Sequence, residues 1–399
     1  MNILLFDDDK RSNLLPLAYT RPCGDLRVGI LTIAEKWEKR CQATVSFVTE
    51  SYLSKKFTAA HTNDNYYING RTLVNDNLLS AINALEINQS LWHKETLIAL
   101  RGAKVFSDYA SIANNEAEKI ELTDVDVLSF CYDIFSKNGA QIKSDFDILT
   151  KGRTSAALSE TNTLIGKHIF IEEGATIEAA TLNSKNGPIY IGKNAEIMEG
   201  SVVRGPLALC DGSTIKMGAK IYGDTTIGPS CKVGGEVSNS VFYAHSNKGH
   251  DGFLGNSVIG EWCNLGADTN SSNLKNNYAQ VKLWNYTKGR FAPTGLQFCG
   301  LIMADHSKCG INTMFNTGTV VGVSANIFGA SFPRNFIPSF TWGGATGFAT
   351  YTLPKVFETT RIVMQRRSKE LNQTEQDILT YLFNQSGEYR FWENKRQNA

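Results

Sequence analysis

The sequence predicts an α/β domain followed by a parallel β-solenoid and a helical end-cap, on three observations. Eight aliphatic residues fall six apart from Ile191 to Val233: Ile191, Ile197, Val203, Leu209, Ile215, Ile221, Ile227 and Val233. That interval is neither the helical period nor the strand period, and a fixed short repeat marks a stacked coil whose flat faces are one repeat long. With roughly a quarter of residues aliphatic, chance produces the run about once in 10⁵ starting points. Residues 1–150 instead alternate strand-like and helix-like segments, the pattern of an α/β layer with a parallel sheet. Beyond residue 350 the apolar spacing turns helical.

In the first domain, residues 1–150, NILLF (2–6) reads as a strand and RVGILTIAEKWEKR (27–40) as an amphipathic helix. ATVSFVT (43–49) is a second strand and NDNLLSAINAL (75–85) a second helix. The solenoid domain takes residues 151–335. Its beat appears upstream at Ile165, Ile171 and Ile177 and returns at Cys309, Phe315, Val321 and Ile327, so the coil runs from about residue 164 to about 330. Interruptions at 182–190 and 239–253 read as loops thrown out from one edge, where repeat proteins usually build binding surfaces. In the cap, residues 336–399, RNFIPSFTWGGATGF (334–348) leads in as an aromatic and glycine-rich loop. TLPKVFETTRIVMQRRSKELNQ (352–373) is a helix, and Thr374 opens the last one. The Phe and Trp residues seal the solenoid, whose open end any repeat protein must cover.

The chain's 399 residues, 42% of them hydrophobic, suffice for more than one domain and a sizeable core. Forty basic residues against 39 acidic ones give a formal charge of +1, too little to attract nucleic acid or a membrane surface broadly. No apolar run is long enough to span a bilayer, and MNILLFDDDK is unlike a signal peptide, so a cytoplasmic location is expected. The eight cysteines are scattered without a CxxC pair, which argues against zinc and against a disulfide framework. Cys231 and Cys309 lie on the beat as small hydrophobes.

LLPLAYTRPCGDLRVGI, with YYINGR further on, resembles the sugar-1-phosphate nucleotidyltransferases, a Rossmann-like fold here shortened. The resemblance implies nucleotide contacts from Arg21, Asp25, Arg27, Asn69 and Arg71, and Mg²⁺ if the domain is active. Two departures stand out. FDDDKRSN follows the first strand where the family has a glycine-rich phosphate loop, and Asn69-Gly70 is followed by Arg71 where the family places a metal-binding aspartate. Arginine cannot ligate Mg²⁺, and three carboxylates repel a nucleoside triphosphate.

The hexapeptide beat resembles the left-handed parallel β-helix of the hexapeptide acyltransferases, and the handedness rests on that resemblance alone. NKGHDGFLGNSVIGEWCNLGADTNSSNLKNNY (247–278) is similar in detail to the bifunctional N-acetylglucosamine-1-phosphate uridylyltransferase/glucosamine-1-phosphate acetyltransferase family, down to the five-residue step from Leu254 to Ile259. By position His250 matches the family's catalytic histidine. An amine attacking the acetyl-CoA thioester must lose a proton, and imidazole titrates near neutrality. Lys248, Asn264 and Asn273 match family positions that contact sugar or acyl donor, Phe253 replaces a tyrosine, and Lys275 is a phosphate partner by charge and proximity. His245 and His306 are rival bases, and Lys355, Arg361, Arg366 and Arg367 are candidates to hold CoA phosphates.

The resemblance implies a homotrimer with sites assembled between subunits, and acetyl transfer from acetyl-CoA to an amino-sugar phosphate such as glucosamine-1-phosphate. One alternative is thymidylyl or uridylyl transfer to a sugar-1-phosphate, with the solenoid as trimerising scaffold. Another is a non-catalytic nucleotide-sugar-binding scaffold.

Overall fold

A computed structural model describes residues 1–394 and divides the chain into two compact units. The first comprises Met1–Arg27 and Leu31–Cys131; the second takes Val28–Ile30 and the chain from Tyr132 onward.

In the first unit β1 (Asn2–Phe6), β2 (Thr44–Val48), β3 (Asn65–Asn69), β4 (Gln89–His93), β5 (Thr96–Gly102) and β6 (Glu118–Glu121) form one sheet in the order β2-β1-β3-β5-β4-β6. The expected parallel sheet is mixed: β1 runs parallel to β2 and β3, but β5 runs antiparallel to β3 and β4. The tight turn between β4 and β5, with Lys94 at φ 54°, is too short for a crossover and so permits only an antiparallel pair. Leu4, Phe6, Val48, Tyr67, Leu97 and Leu100 make a core on the sheet. Helix α1 (Ile33–Cys41) starts at Ile33 rather than Arg27, because Thr32 and Glu35 form a reciprocal capping box. Helices α2 (Asp76–Asn83) and α3 (Tyr109–Ala113) are capped by Asn75 and Asp108.

The second unit is a solenoid of three sheets with 8, 9 and 10 strands, parallel throughout except for the last strand of the third. The first face begins at Thr163–Ile165, the second at Ile169–Ile171 and the third at Thr176–Ile177, after which the chain returns to the first. The beat residues stack inward: Ile191, Leu209 and Ile227 on the second face, Ile197, Ile215 and Val233 on the third, Val203 and Ile221 on the first, all buried. Burial of such a side chain contributes about 1.5–3 kcal/mol, so the stack sustains the coil. Helix α4 (Asp133–Thr150), which the sequence assigned to the first domain, packs here on second-face strands. Its Asn138 accepts from the Gly29 N–H (2.7 Å) and donates to the Asp224 carbonyl (2.8 Å).

Segment 239–253 is not an ejected loop. It forms two further faces, with Phe242 pairing Ile227 and Lys248 pairing Val233 on the inward rows. A five-residue step from Val237 and a lysine in an aliphatic position hid the beat. The larger excursion lies between Asn270–Ser271 and Leu301–Met303 and carries an antiparallel hairpin of Lys282–Asn285 with Arg290–Pro293. The aromatic lead-in to the cap is likewise coil: Phe336–Ile337 and Thr341–Gly344 extend the second and third faces, and Gly347–Thr350 closes the latter antiparallel. Helices α5 (Leu353–Gln365) and α6 (Gln373–Gln385) follow, and Phe383 packs edge-on against buried Phe340 at 5.1 Å. Among the described residues no helix is long and apolar enough to cross a membrane.

Candidate functional site

On the third face each residue just before an inward position points outward. One such row runs Lys232, Asn247, Asn264, Lys308, one coil per step. It lines a cavity of about 790 Å³ together with Thr359, Val363, Arg366 and Arg367 from the end of α5, with Lys216, and with His245, His250 and Trp262. Five lysines and arginines line this groove and no carboxylate does. Arg367 donates to the Asn247 amide oxygen at 3.2 Å, while Lys216, Lys232 and Arg366 have no carboxylate partner among the described residues. An uncompensated cationic wall of this kind attracts phosphate.

His250 is exposed at the corner where the chain turns from the third face to the first. The turn is fixed from beneath by Lys248, whose ammonium is buried among the carbonyls of Gly234 (3.0 Å), His250 (2.9 Å) and Asp251 (3.3 Å). Burial lowers the Lys248 pKa to about 8 against the pull of Asp251 and Asp268. Gly252 completes the turn at φ 109°, where a Cβ would lie 2.2 Å from the Thr269 carbonyl oxygen. Lys248, expected to contact substrate, is instead buried beneath the turn, 1% exposed with its ammonium spent on backbone carbonyls.

Asn264 lies in the groove with His250. Phe253 and Asn273 do not. They meet beside Gly255 on the first face, where Asn273 donates to the Asn256 side chain at 2.8 Å. Lys275 lines a different groove and donates to the Gln280 carbonyl at 3.2 Å. The rival His245 shares the groove, its ring stacked on Trp262 at 4.1 Å and its pKa lowered by burial. His306 stacks behind Trp262 at 6.5 Å and is not among the groove residues. Lys216, Lys232 and Lys308 escaped the sequence reading, although Lys232 and Lys308 directly precede beat residues Val233 and Cys309. That offset of one signals an outward side chain on a solenoid face. Burial also lowers the Lys308 pKa to about 8.

The first unit's expected nucleotide contacts are engaged internally. Arg71 donates from Nε to Asp8 at 2.8 Å and from Nη1 to the Leu128 carbonyl at 2.7 Å, and it pairs with Asp8 through Nη2 as well. Asn69 adds a bond to the same carboxylate at 2.9 Å. Asp7 accepts from the Cys23 N–H (2.7 Å) and the Thr49 hydroxyl (2.6 Å). Arg21 pairs with Asp25 at 3.1 Å and Arg27 with Glu35 at 3.5 Å. All five are thus members of internal pairs. The donor set does not fit Mg²⁺, because four protein donors take the lone pairs of Asp8 and its neighbour Arg71 presents a guanidinium, which cannot ligate a cation.

Residues 3–154 match the family model described as sugar nucleotidyl transferase. The chain is also similar to a bifunctional sugar-1-phosphate nucleotidylyltransferase/acetyltransferase of Sulfurisphaera tokodaii, 32% identical over 36% of this chain and 35% of that protein. Similarity to the bifunctional protein GlmU of Methanocaldococcus jannaschii is 32% identity over 30% of this chain and 26% of that one. An uncharacterized acetyltransferase, YaiX, of Escherichia coli is 25% identical over 46% of this chain and 75% of its own length. The matched stretches thus span about a third or less of the two bifunctional relatives.

Proposed function

We propose that the protein is a transferase that moves an acetyl group from acetyl-CoA to the amine of an amino-sugar phosphate of the glucosamine-1-phosphate kind. The observation that carries this reading is the third-face groove, where an exposed imidazole stands beside a cationic wall free of carboxylates. Lys216, Lys232, Lys308 and Arg366 would hold the phosphates of donor and acceptor, and Asn264 would orient one of them by its amide. His250 acts as general base. The amine nitrogen attacks the thioester carbonyl, the C–N bond forms as the C–S bond breaks, and the proton lost by nitrogen passes through the imidazole to the departing thiolate. Positioning by Lys248 fixes the base without direct contact to substrate. The exposed side of His250 suits closure by a second copy, so the active form is proposed as a homotrimer, working in the cytoplasm where acetyl-CoA is made.

A second reading, nucleotidyl transfer to a sugar-1-phosphate, is favoured by the family match over residues 3–154. The internal pairing of Asp8 with Arg71 opposes it, because a triphosphate with its metal would have to displace a buried ion pair. The test is CoA thiol release across a panel of amino-sugar phosphates by the wild type and by His250→Ala. Turnover that the substitution removes supports the acetyl transfer; no turnover with any amine overturns it.

A further inference from the structure

The hairpin excursion at 282–293 has no part in the third-face groove. Its strands are held in register by Trp284 opposite Phe291, and it rises where the chain passes from the first face to the second, since neighbouring Thr317 sits between strands of those two faces. Against Thr317, Asn335 and Phe336 it bounds a separate groove of about 890 Å³ that shares no lining residue with the first.

Two kinds of side chain build this second groove. The Trp284 indole lies flat on Phe336 at 4.1 Å, Phe291 meets it edge-on at 5.5 Å, and Tyr389 stands edge-on to Phe336 at 5.9 Å. Phe291 is 41% exposed, so an aromatic face is open to the groove's occupant. Trp284 also buries its indole N–H without an acceptor among the described residues, although buried indoles usually find one. The other kind is cationic: Lys275, Lys282 and Arg334 line the groove, none paired to a carboxylate among the described residues, against one lining acid, Glu388. Arg334 is held over the Phe391 ring at 4.9 Å.

We infer that this groove is a second ligand site, for a nucleotide. A flat base stacks on an open aromatic face whatever its identity, while Lys275, Lys282 and Arg334 answer the charge of its phosphates. The volume matches that of small-ligand sites. A neutral sugar would leave the three cations unanswered, and inorganic phosphate would leave the aromatic face bare. The base and phosphates come either from a uridine nucleotide or from the adenosine end of CoA.

The test is equilibrium binding of UDP, of CoA and of pyrophosphate to the full chain, followed by tryptophan fluorescence and calorimetry. The variants are Phe291→Ser, Lys282→Ala with Arg334→Ala, and Lys185→Ala as a control at an exposed position outside both grooves, each checked by thermal melt. UDP or CoA is expected to bind and to lose about tenfold or more in affinity in both hairpin variants, with Lys185→Ala unchanged. Pyrophosphate is expected to bind more weakly and to ignore Phe291→Ser. Whichever nucleotide shows this pattern is the source. Absence of hairpin-dependent binding by either nucleotide, or pyrophosphate binding as tightly as both, overturns the assignment. The readout is binding, so it stands apart from whether acetyl transfer occurs.

Discussion

Asp8 and His250 occupy the two places where the sequence raised chemistry, and the structure treats them in opposite ways. Asp8 is 6% exposed, held by Arg71 and Asn69, with no lone pair left for a metal or a phosphate-bound ion. His250 stands at an exposed corner, its turn clamped from below while its imidazole stays uncovered. Each region carries charge, but Asp8 and Arg71 of the first unit satisfy each other, whereas Lys216, Lys232 and Arg366 of the third-face groove have no carboxylate partner among the described residues. Chemistry needs unsatisfied groups held rigidly in place. The third-face groove offers such groups.

The comparison is broken most severely by removing the base. His250→Ala is expected to reduce thiol release about 10²- to 10⁴-fold with little change in melting temperature, because the side chain is exposed; residual activity near wild type would move the chemistry to His245. In the first unit Arg71→Met should cost stability instead, about 3–5 kcal/mol for stranding a buried carboxylate. It would show as a lower melting temperature in urea or heat, with thiol release per folded molecule kept.

Lys248→Met sharpens the account through pH. The folded pKa of Lys248, about 8, lies below its ordinary 10.5, so between those values the unfolded chain holds more protons and folding gains stability as pH rises. Chemical denaturation across that window should show the wild type gaining on the methionine variant by up to about 3 kcal/mol. Below pH 8 the difference should be flat. The variant should also lose turnover by loosening the His250 turn, with KM for donor little changed. The smallest effect is expected from Lys232→Ala or Arg366→Ala, each raising KM for acetyl-CoA about tenfold through one lost charge-assisted contact, read from initial rates at varied donor.

The solenoid was legible because inward positions repeat and are chemically alike. Where Lys248 replaced an aliphatic residue and Phe242 came one residue early, the reading took a coil for a loop. The hairpin at 282–293 was missed because its residues follow strand alternation inside a region scored for a period of six. His250 and Asn264 were legible from a local motif, and they do share a groove. Lys232 and Lys308 were not, since they come from coils far apart in sequence and meet only through the stacking register. The partnership of Asp8 with Arg71 likewise spans 63 residues, and a run of three aspartates gives no sign of which one will be neutralised.

The most direct measurement sets the two units against each other on one preparation. CoA thiol release with glucosamine-1-phosphate and acetyl-CoA is followed beside pyrophosphate release with UTP, Mg²⁺ and N-acetylglucosamine-1-phosphate. The account predicts thiol release that disappears in His250→Ala, and pyrophosphate release at background. Pyrophosphate release without thiol release would contradict it, placing the chemistry in the first unit and leaving the solenoid as scaffold.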